Sequence, residues 1–124
     1  MHRVLVIEDN RVNMKLVDFL LKKAGYEVLQ AFDAEQGIRL TREQLPNLVL
    51  MDIQLSGMDG LTATRILKAD PCTAAIKIFA LTALAMNGDE RDILAAGCDG
   101  YISKPINYKD FLREVAWVLA EVQK

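Results

Sequence analysis

Short apolar runs alternate with segments of helical periodicity along the chain. The runs have the length and composition of β-strands and occupy residues 3–7, 26–30, 48–51, 76–81 and 101–102. The third run is apolar at every position, which is typical of a central strand that is buried on both faces. Strands that alternate with helices predict βα units and a parallel sheet.

Five segments between and after these runs have the apolar spacing of amphipathic helices. They are predicted at residues 12–23, 34–44, 61–68, 84–96 and 108–122. With the strands, they predict a doubly wound α/β fold of the flavodoxin-like type: a five-stranded parallel sheet in the order 2-1-3-4-5, with helices on both faces. We expect residues 1–124 to form a single domain without an output domain.

Individual positions give more detailed expectations for these helices. Asp33, with Gln36 three residues later, predicts the N-cap of the second helix. Gly88 lies inside the fourth predicted helix and is expected to cost ~1 kcal/mol relative to alanine, which would make this helix the least stable. The apolar face predicted for the first helix comprises Val12, Leu16, Phe19 and Leu20. The core face predicted for the last helix comprises Phe111, Leu112, Val115, Val118, Leu119 and Val122.

Polar side chains follow four of the predicted strands. Glu8 and Asp9 end the first, Asp52 the third, Thr82 the fourth and Lys104 the fifth. Because functional groups gather at the carboxyl ends of strands in such sheets, we expect these five to meet at one edge. Crowded carboxylates need a proton or a cation among them, and an all-oxygen site favours Mg²⁺ or Mn²⁺.

The same five residues fit phosphoryl chemistry. Asp52 would act as the nucleophile and form an acyl phosphate. Thr82 would donate a hydrogen bond to one phosphoryl oxygen, and Lys104 would bring a mobile positive charge to another. The sequence therefore predicts a cation-assisted phosphoacceptor site.

Composition excludes several other classes. The net charge of -2 and the pI near 5.4 argue against a nucleic-acid partner, which usually requires a basic patch. The longest apolar runs are strand-sized, so we expect no membrane insertion. Cys72 and Cys98 are isolated, which argues against a zinc site or a structural disulfide and suits a reducing, cytoplasmic location.

The chain resembles the receiver domains of two-component response regulators over nearly its whole length. The resemblance is carried by residues 4–10, 50–55, 57–60, 80–83 and 100–105. It implies that Asp52 is the phosphoacceptor and that Asp9 is a direct Mg²⁺ ligand. It also implies that Glu8 acts mostly through water and that the backbone carbonyl of Gln54 is the third protein ligand.

The resemblance also implies a switch and two kinds of partner. Thr82 and Tyr101 would form the switch pair, and the peptide bond before Pro105 would be cis. A sensor histidine kinase or a histidine phosphotransferase would supply the phosphoryl group. The face of the fourth helix, fifth strand and fifth helix would then control binding of a downstream protein.

Within this family the chain is most similar to stand-alone receivers of the DivK type, although receivers fused to hybrid histidine kinases share similar stretches. Ser56 is a departure, because the family commonly has proline there. We expect Ser56 to loosen the loop after Asp52 without removing a ligand.

Three further residues allow more than one interpretation. Trp117 lies on the polar face of the last helix, where it either covers Arg and Lys stems or contacts a partner. Met14 belongs either to the core or to a docking surface for the phosphodonor protein. His2 is expected to be a solvated terminal residue at the opposite end of the sheet from Asp52.

Other functions on the same fold fit less well. A magnesium-dependent aspartyl phosphatase usually has a second aspartate two residues after the nucleophile, where this chain has Gln54. A flavin carrier needs a phosphate-binding loop after the first strand, where Glu8 and Asp9 would repel phosphate. A receiver fold kept only for protein interaction would not need the complete set Asp9, Asp52, Thr82 and Lys104.

Overall fold

The computed structural model describes residues 2–83, 88–104 and 106–122, with the backbone alone for residues 88, 89, 121 and 122. The strands are β1 (Arg3–Ile7), β2 (Glu27–Ala31), β3 (Leu48–Asp52), β4 (Lys77–Thr82) and β5 (Gly100–Ser103). The helices are α1 (Arg11–Lys23), α2 (Ala34–Gln44), α3 (Gly60–Ala69), α4 (Gly88–Ala95) and α5 (Tyr108–Val122).

The strands form one parallel sheet in the order β2-β1-β3-β4-β5, which confirms the predicted fold. Leu5 pairs with Val49, and Val49 with Ile78, so β1, β3 and β4 are in close register. Every residue of β3 is buried, as predicted for a central strand. The carboxyl ends of the strands therefore lie together at one edge.

Successive residues of a strand point to opposite faces, and this divides the core into two layers. Val4, Val6 and Leu50 pack with α1 and α5 in the first layer. Leu5 and Val49 pack with α2, α3 and part of α4 in the second. The prediction of helices on both faces is confirmed.

Side-chain caps fix where the first three helices begin. Asn10 accepts from the backbone N–H groups of Val12 and Asn13, Asp33 from Gln36, and Asp59 from Thr62. An oxygen at the N-cap satisfies N–H groups that have no partner within the helix. The cap predicted at Asp33 is confirmed.

The apolar face predicted for α1 is not the face that the sheet buries, except at Leu20. Val12 and Phe19 are 76% and 60% exposed, and Leu16 is also exposed. The buried residues of α1 are Met14, Val17, Leu20 and Leu21. The helix carries two overlapping apolar stripes that share Leu20, and the sheet covers only one of them.

The core face predicted for α5 is confirmed where the structure describes it. Phe111, Val115, Val118 and Leu119 are buried, and Leu112 packs against them. The side chain of Val122 lies outside the described residues.

The fourth helix begins at Gly88 in the described part of the chain. Residues 84–87, which are part of the predicted helix, lie outside the described residues. Gly88 is thus the first residue of α4, so the penalty expected for an interior glycine does not apply to the helix as described.

Both cysteines are free, as predicted; Cys72 is exposed and Cys98 is buried. Among the described residues, no helix has the length and apolar character needed to span a membrane.

Candidate functional site

Three carboxylates meet at the carboxyl end of the sheet. Glu8 follows β1, and Asp52 is the last residue of β3; these two side chains are buried. Asp9 lies nearer the solvent. One oxygen from each of the three lies within 4.8 Å of the others, so the predicted convergence is confirmed.

Lys104 supplies positive charge to this cluster. Its Nζ lies 3.0 Å from Oε1 of Glu8 and 3.3 Å from Oδ1 of Asp52. The Lys104 backbone N–H donates to the carbonyl of Thr82 at 2.8 Å, which holds the residue beside the end of β4. Three carboxylates and one ammonium leave an excess of negative charge if all are ionised.

Burial, together with the neighbouring Asp52, changes the protonation of Glu8. Burial raises the pKa of the Glu8 carboxyl to about 7, and a hydrogen bond with Asp52 and the charge of Asp52 add to the rise. The Lys104 ammonium and the backbone N–H of Asn10 oppose it. Without a cation, Glu8 therefore holds a proton over part of the range below neutral pH and shares it with Asp52.

Backbone hydrogen bonds hold Asp52 and the turn that follows it in place. Oδ1 of Asp52 accepts a hydrogen bond from the Gln54 N–H at 3.0 Å. The Gly60 N–H donates to the carbonyl of the next residue, Ile53, at 3.1 Å. A Cβ at Gly60 would overlap the carbonyl oxygen of Asp52, so only glycine fits where α3 begins. The nucleophile predicted from the sequence thus lies in a closely packed turn.

Asp9 is held by a residue that is not among the predicted site residues. The backbone N–H and the hydroxyl of Ser56 both donate to Oδ2 of Asp9, each at 3.1 Å. The sequence predicts that Ser56 loosens the loop after Asp52, but Ser56 instead bonds this loop to the residue that follows the end of β1, Asp9. The departure from proline was the signal in the sequence, since proline lacks both donors.

Thr82 and Tyr101 lie on neighbouring strands beside this site. Thr82 is buried at the end of β4, and Tyr101 is half-buried on β5, where it pairs with Ala80. Partial burial raises the pKa of the Tyr101 hydroxyl, and the carboxylates of Glu90 and Glu114 add to the rise. Pro105, for which a cis peptide bond is expected, lies outside the described residues.

The remaining predicted positions lie away from the carboxylates. Trp117 is 65% exposed on α5 and borders a groove of about 170 Å³ with Lys77, Phe79 and Asp99. Met14 is 2% exposed, which supports its interpretation as a core residue. His2 precedes β1 at the opposite end of the sheet from Asp52, as predicted, and is half-buried rather than fully solvated.

Comparison with known proteins assigns the family. The family model of the response regulator receiver domain matches residues 4–116. The polar-differentiation response regulator DivK of Brucella anthropi is 42% identical over 118 residues, which cover 95% of this chain and 96% of DivK. DivK of Brucella ovis has the same identity and coverage.

Solved structures agree with this assignment. The receiver domain of a sensor histidine kinase from Pseudomonas aeruginosa PAO1, crystallised with magnesium in its active site cleft, is 33% identical with a TM-score of 0.89. The two structures match over 96% of this chain and 98% of the relative. A putative response regulator from Chloroflexus aurantiacus is 28% identical with a TM-score of 0.91, over 96% and 98% of the two chains. The chain therefore belongs to the family of response regulator receiver domains of two-component systems.

Proposed function

We propose that this protein is a phosphoacceptor switch in which Asp52 accepts a phosphoryl group from a phosphohistidine. The donor would be a sensor histidine kinase or a histidine phosphotransferase. The observation that carries the proposal is the meeting of Glu8, Asp9 and Asp52 with Lys104 at the carboxyl end of the sheet. The protein would be a signalling molecule that promotes its own phosphoryl uptake and loss rather than a turnover enzyme.

The residues fit a divalent cation. All donors are oxygens, which suits Mg²⁺ or, as an alternative, Mn²⁺. The raised pKa of Glu8 supports the fit, because burial and the neighbouring Asp52 carboxylate both disfavour the charged form of Glu8 in the absence of a cation. Glu8, Asp9, Asp52 and the backbone carbonyl of Gln54 would hold the ion. When bound, the ion would neutralise charge on the phosphoryl oxygens.

The transfer step itself uses three side chains of this protein. A carboxylate oxygen of Asp52 attacks phosphorus, the P–N bond to the donor imidazole breaks, and its electron pair stays on the imidazole nitrogen. The ammonium of Lys104 is already within 3.3 Å of Asp52 and would follow the developing charge on a phosphoryl oxygen. The Thr82 hydroxyl would donate to another.

The donor protein would dock near α1. Because Met14 is in the core, the surface for this contact would instead be the apolar stripe of Val12, Leu16 and Phe19 that the sheet leaves uncovered. An exposed apolar stripe of this kind is typical of a helix that meets a partner.

The signal would leave through the face formed by α4, β5 and α5. Phosphorylation adds charge beside Thr82, and a shift of Thr82 would favour a different packing of Tyr101. Tyr101 borders a groove of about 360 Å³ with Asp110 and Glu114. Trp117 follows these residues along α5, and its exposed ring would contact the downstream protein. Replacing Trp117 with alanine should then weaken phosphorylation-dependent binding, and unchanged affinity for every such partner would remove this role.

The proposal is tested by incubation with Mg²⁺ and acetyl phosphate, followed by intact mass measurement. We expect one phosphoryl adduct, which is lost in Asp52→Asn. The matched control is Asp92→Asn, which alters an exposed carboxylate on α4 and should keep the adduct. An adduct in Asp52→Asn would contradict the proposal. Continuous phosphate release without an accumulated adduct would favour the aspartyl phosphatase instead.

A further inference from the structure

Ser56 makes a contact that neither the fold nor the family assignment requires. Its backbone N–H and its hydroxyl converge on one carboxylate oxygen, Oδ2 of Asp9, at 3.1 Å each. In sequence the two residues are 47 positions apart, so the contact bonds the end of β1 to the loop between β3 and α3. Among the described residues, two hydrogen bonds reach the Asp9 side chain, and Ser56 donates both of them.

The other two carboxylates are held differently. Glu8 and Asp52 are buried, and each lies beside the Lys104 ammonium. Each also accepts from a nearby backbone N–H, that of Asn10 or that of Gln54. Asp9 is nearer the solvent, and Ser56 supplies both of the hydrogen bonds that its side chain accepts from the described residues. Glu8 and Asp52 each have several partners, so the orientation of Asp9 depends more strongly on one residue than theirs does.

The geometry leaves Asp9 able to bind a cation. A carboxylate has two oxygens that together offer about four lone-pair directions. The two donors of Ser56 occupy Oδ2, and the hydrogen bonds of the described residues leave Oδ1 free to accept a cation. Groups that bond to a ligand from outside the metal's coordination sphere fix its orientation, and their loss typically lowers metal affinity by about 10-fold to 100-fold.

We propose that Ser56 is a positioning residue that orients the Asp9 carboxylate for Mg²⁺ and thereby sets the affinity of the site. The proposal rests on the proposed function, because it assumes that the carboxylate cluster takes a divalent cation. It extends that function by assigning a role to a side chain that would act through Asp9 rather than directly on the phosphoryl group or the ion.

The test is calorimetric titration of the full chain with MgCl₂ at a fixed pH. Ser56→Ala removes the hydroxyl donor and should weaken Mg²⁺ binding by about tenfold. Ser56→Pro also removes the N–H donor and should weaken it further. Ser56→Thr retains both donors and should bind Mg²⁺ within about threefold of the original chain, at the low end of such effects.

The other serine of the chain provides the matched control. Ser103 is exposed at the end of β5, and its hydroxyl makes no hydrogen bond to Glu8, Asp9 or Asp52 in the described structure. Ser103→Ala should therefore leave Mg²⁺ affinity unchanged. If it weakens binding as much as Ser56→Ala does, the effect is not specific to Asp9 and the proposal is wrong.

A second measurement separates positioning from a merely structural role. In an Asp9→Asn background, Ser56→Ala should have little further effect on Mg²⁺ affinity, because the group that it orients no longer carries a charge. Thermal unfolding without Mg²⁺ is measured on the same variants. A Ser56→Ala protein that unfolds at a lower temperature but binds Mg²⁺ with unchanged or higher affinity would overturn the proposal.

The outcomes also distinguish this proposal from the proposed function. If the original chain takes up no Mg²⁺ at millimolar concentration, the cation site itself fails and the role of Ser56 fails with it. If the original chain binds Mg²⁺ and the Ser56 variants bind equally well, only the role of Ser56 is lost.

Discussion

The two ends of the sheet each carry a cluster of charges, but the clusters differ in burial and in charge balance. At the carboxyl end, Glu8, Asp9 and Asp52 lie together, and the one ammonium found among them in the described part of the chain, that of Lys104, pairs with Glu8 and Asp52. At the amino end of β4, one carboxylate, Asp99, meets two ammonium groups and a backbone N–H.

The cluster at Asp99 is well satisfied. Lys68 lies 2.9 Å from Asp99 and Lys77 lies 3.9 Å from it, and the Ile78 N–H donates to it at 2.9 Å. Lys68 also donates to the carbonyls of Ala74 and Ile76. A satisfied cluster of this kind stabilises the fold, whereas the cluster around Asp52 keeps unbalanced negative charge that a cation could neutralise.

The largest expected difference between the clusters is in the effect of replacing one lysine of each, Lys104 and Lys68. Lys104→Met should slow phosphorylation by acetyl phosphate about 100-fold, because it removes the charge that stabilises the phosphoryl oxygens. Lys68→Met should leave the rate nearly unchanged and lower the free energy of unfolding by about 2 kcal/mol, since it leaves Asp99 partly unpaired. The measurements are the rate of adduct formation by mass and urea denaturation. Equal rates for the two variants would end the distinction between the clusters.

Removing one carboxylate from each cluster should change stability in opposite directions. Asp99→Ala should lower the free energy of unfolding by about 2 kcal/mol, because two ammonium groups and an N–H lose their acceptor. Asp52→Asn should raise it by about 1 kcal/mol without Mg²⁺, because it relieves repulsion with Glu8 and Asp9. Urea denaturation in EDTA at pH 8 tests both. Destabilisation by Asp52→Asn would show that its charge is already compensated.

The carboxylate cluster should also make stability depend on pH. The pKa of Glu8 is about 7 in the folded protein, above its ordinary value of 4.5, so the folded state holds the proton more tightly than the unfolded state. Between these two values the free energy of unfolding of the metal-free protein should fall as pH rises. Denaturation at several pH values should show this slope in the original chain and in Asp99→Ala. The slope should be absent in Glu8→Gln, and a slope that persists there has another source.

Magnesium should produce the smallest of these effects and act on one cluster only. A cation present at about three times its dissociation constant should raise the free energy of unfolding by about 0.8 kcal/mol through mass action. Thermal unfolding with and without MgCl₂ should show this gain in the original chain and in Asp99→Ala, but not in Asp9→Asn. The same gain in Asp9→Asn would place the ion elsewhere.

The sequence predicted the residues of the candidate site better than it predicted which helix surfaces are buried. Glu8, Asp52, Thr82 and Lys104 could be placed because each follows an apolar run, and parallel topology brings such ends together. The Asp99 cluster could not be predicted, because its lysines come from α3 and β4 and only tertiary packing brings them to Asp99.

The helices α1 and α5 show why pattern alone is not always enough. On α5, a single apolar stripe that includes Phe111 and Val115 faces the sheet, and the prediction is confirmed. On α1, Val12 and Phe19 continue the helical spacing as regularly as Met14 and Val17 do, so periodicity cannot select the buried stripe. The helix has more apolar positions than the sheet covers, and the surplus is the surface proposed for docking.

The close fit of Gly60 against the carbonyl oxygen of Asp52 limits where motion can occur. The main chain at Asp52 packs directly against the start of α3, which leaves it little room to tilt in that direction. In the proposed switch, a displacement caused by the phosphoryl group would then be taken up toward Thr82 and β5. The absence of a side chain at position 60 would thereby give the proposed response its direction.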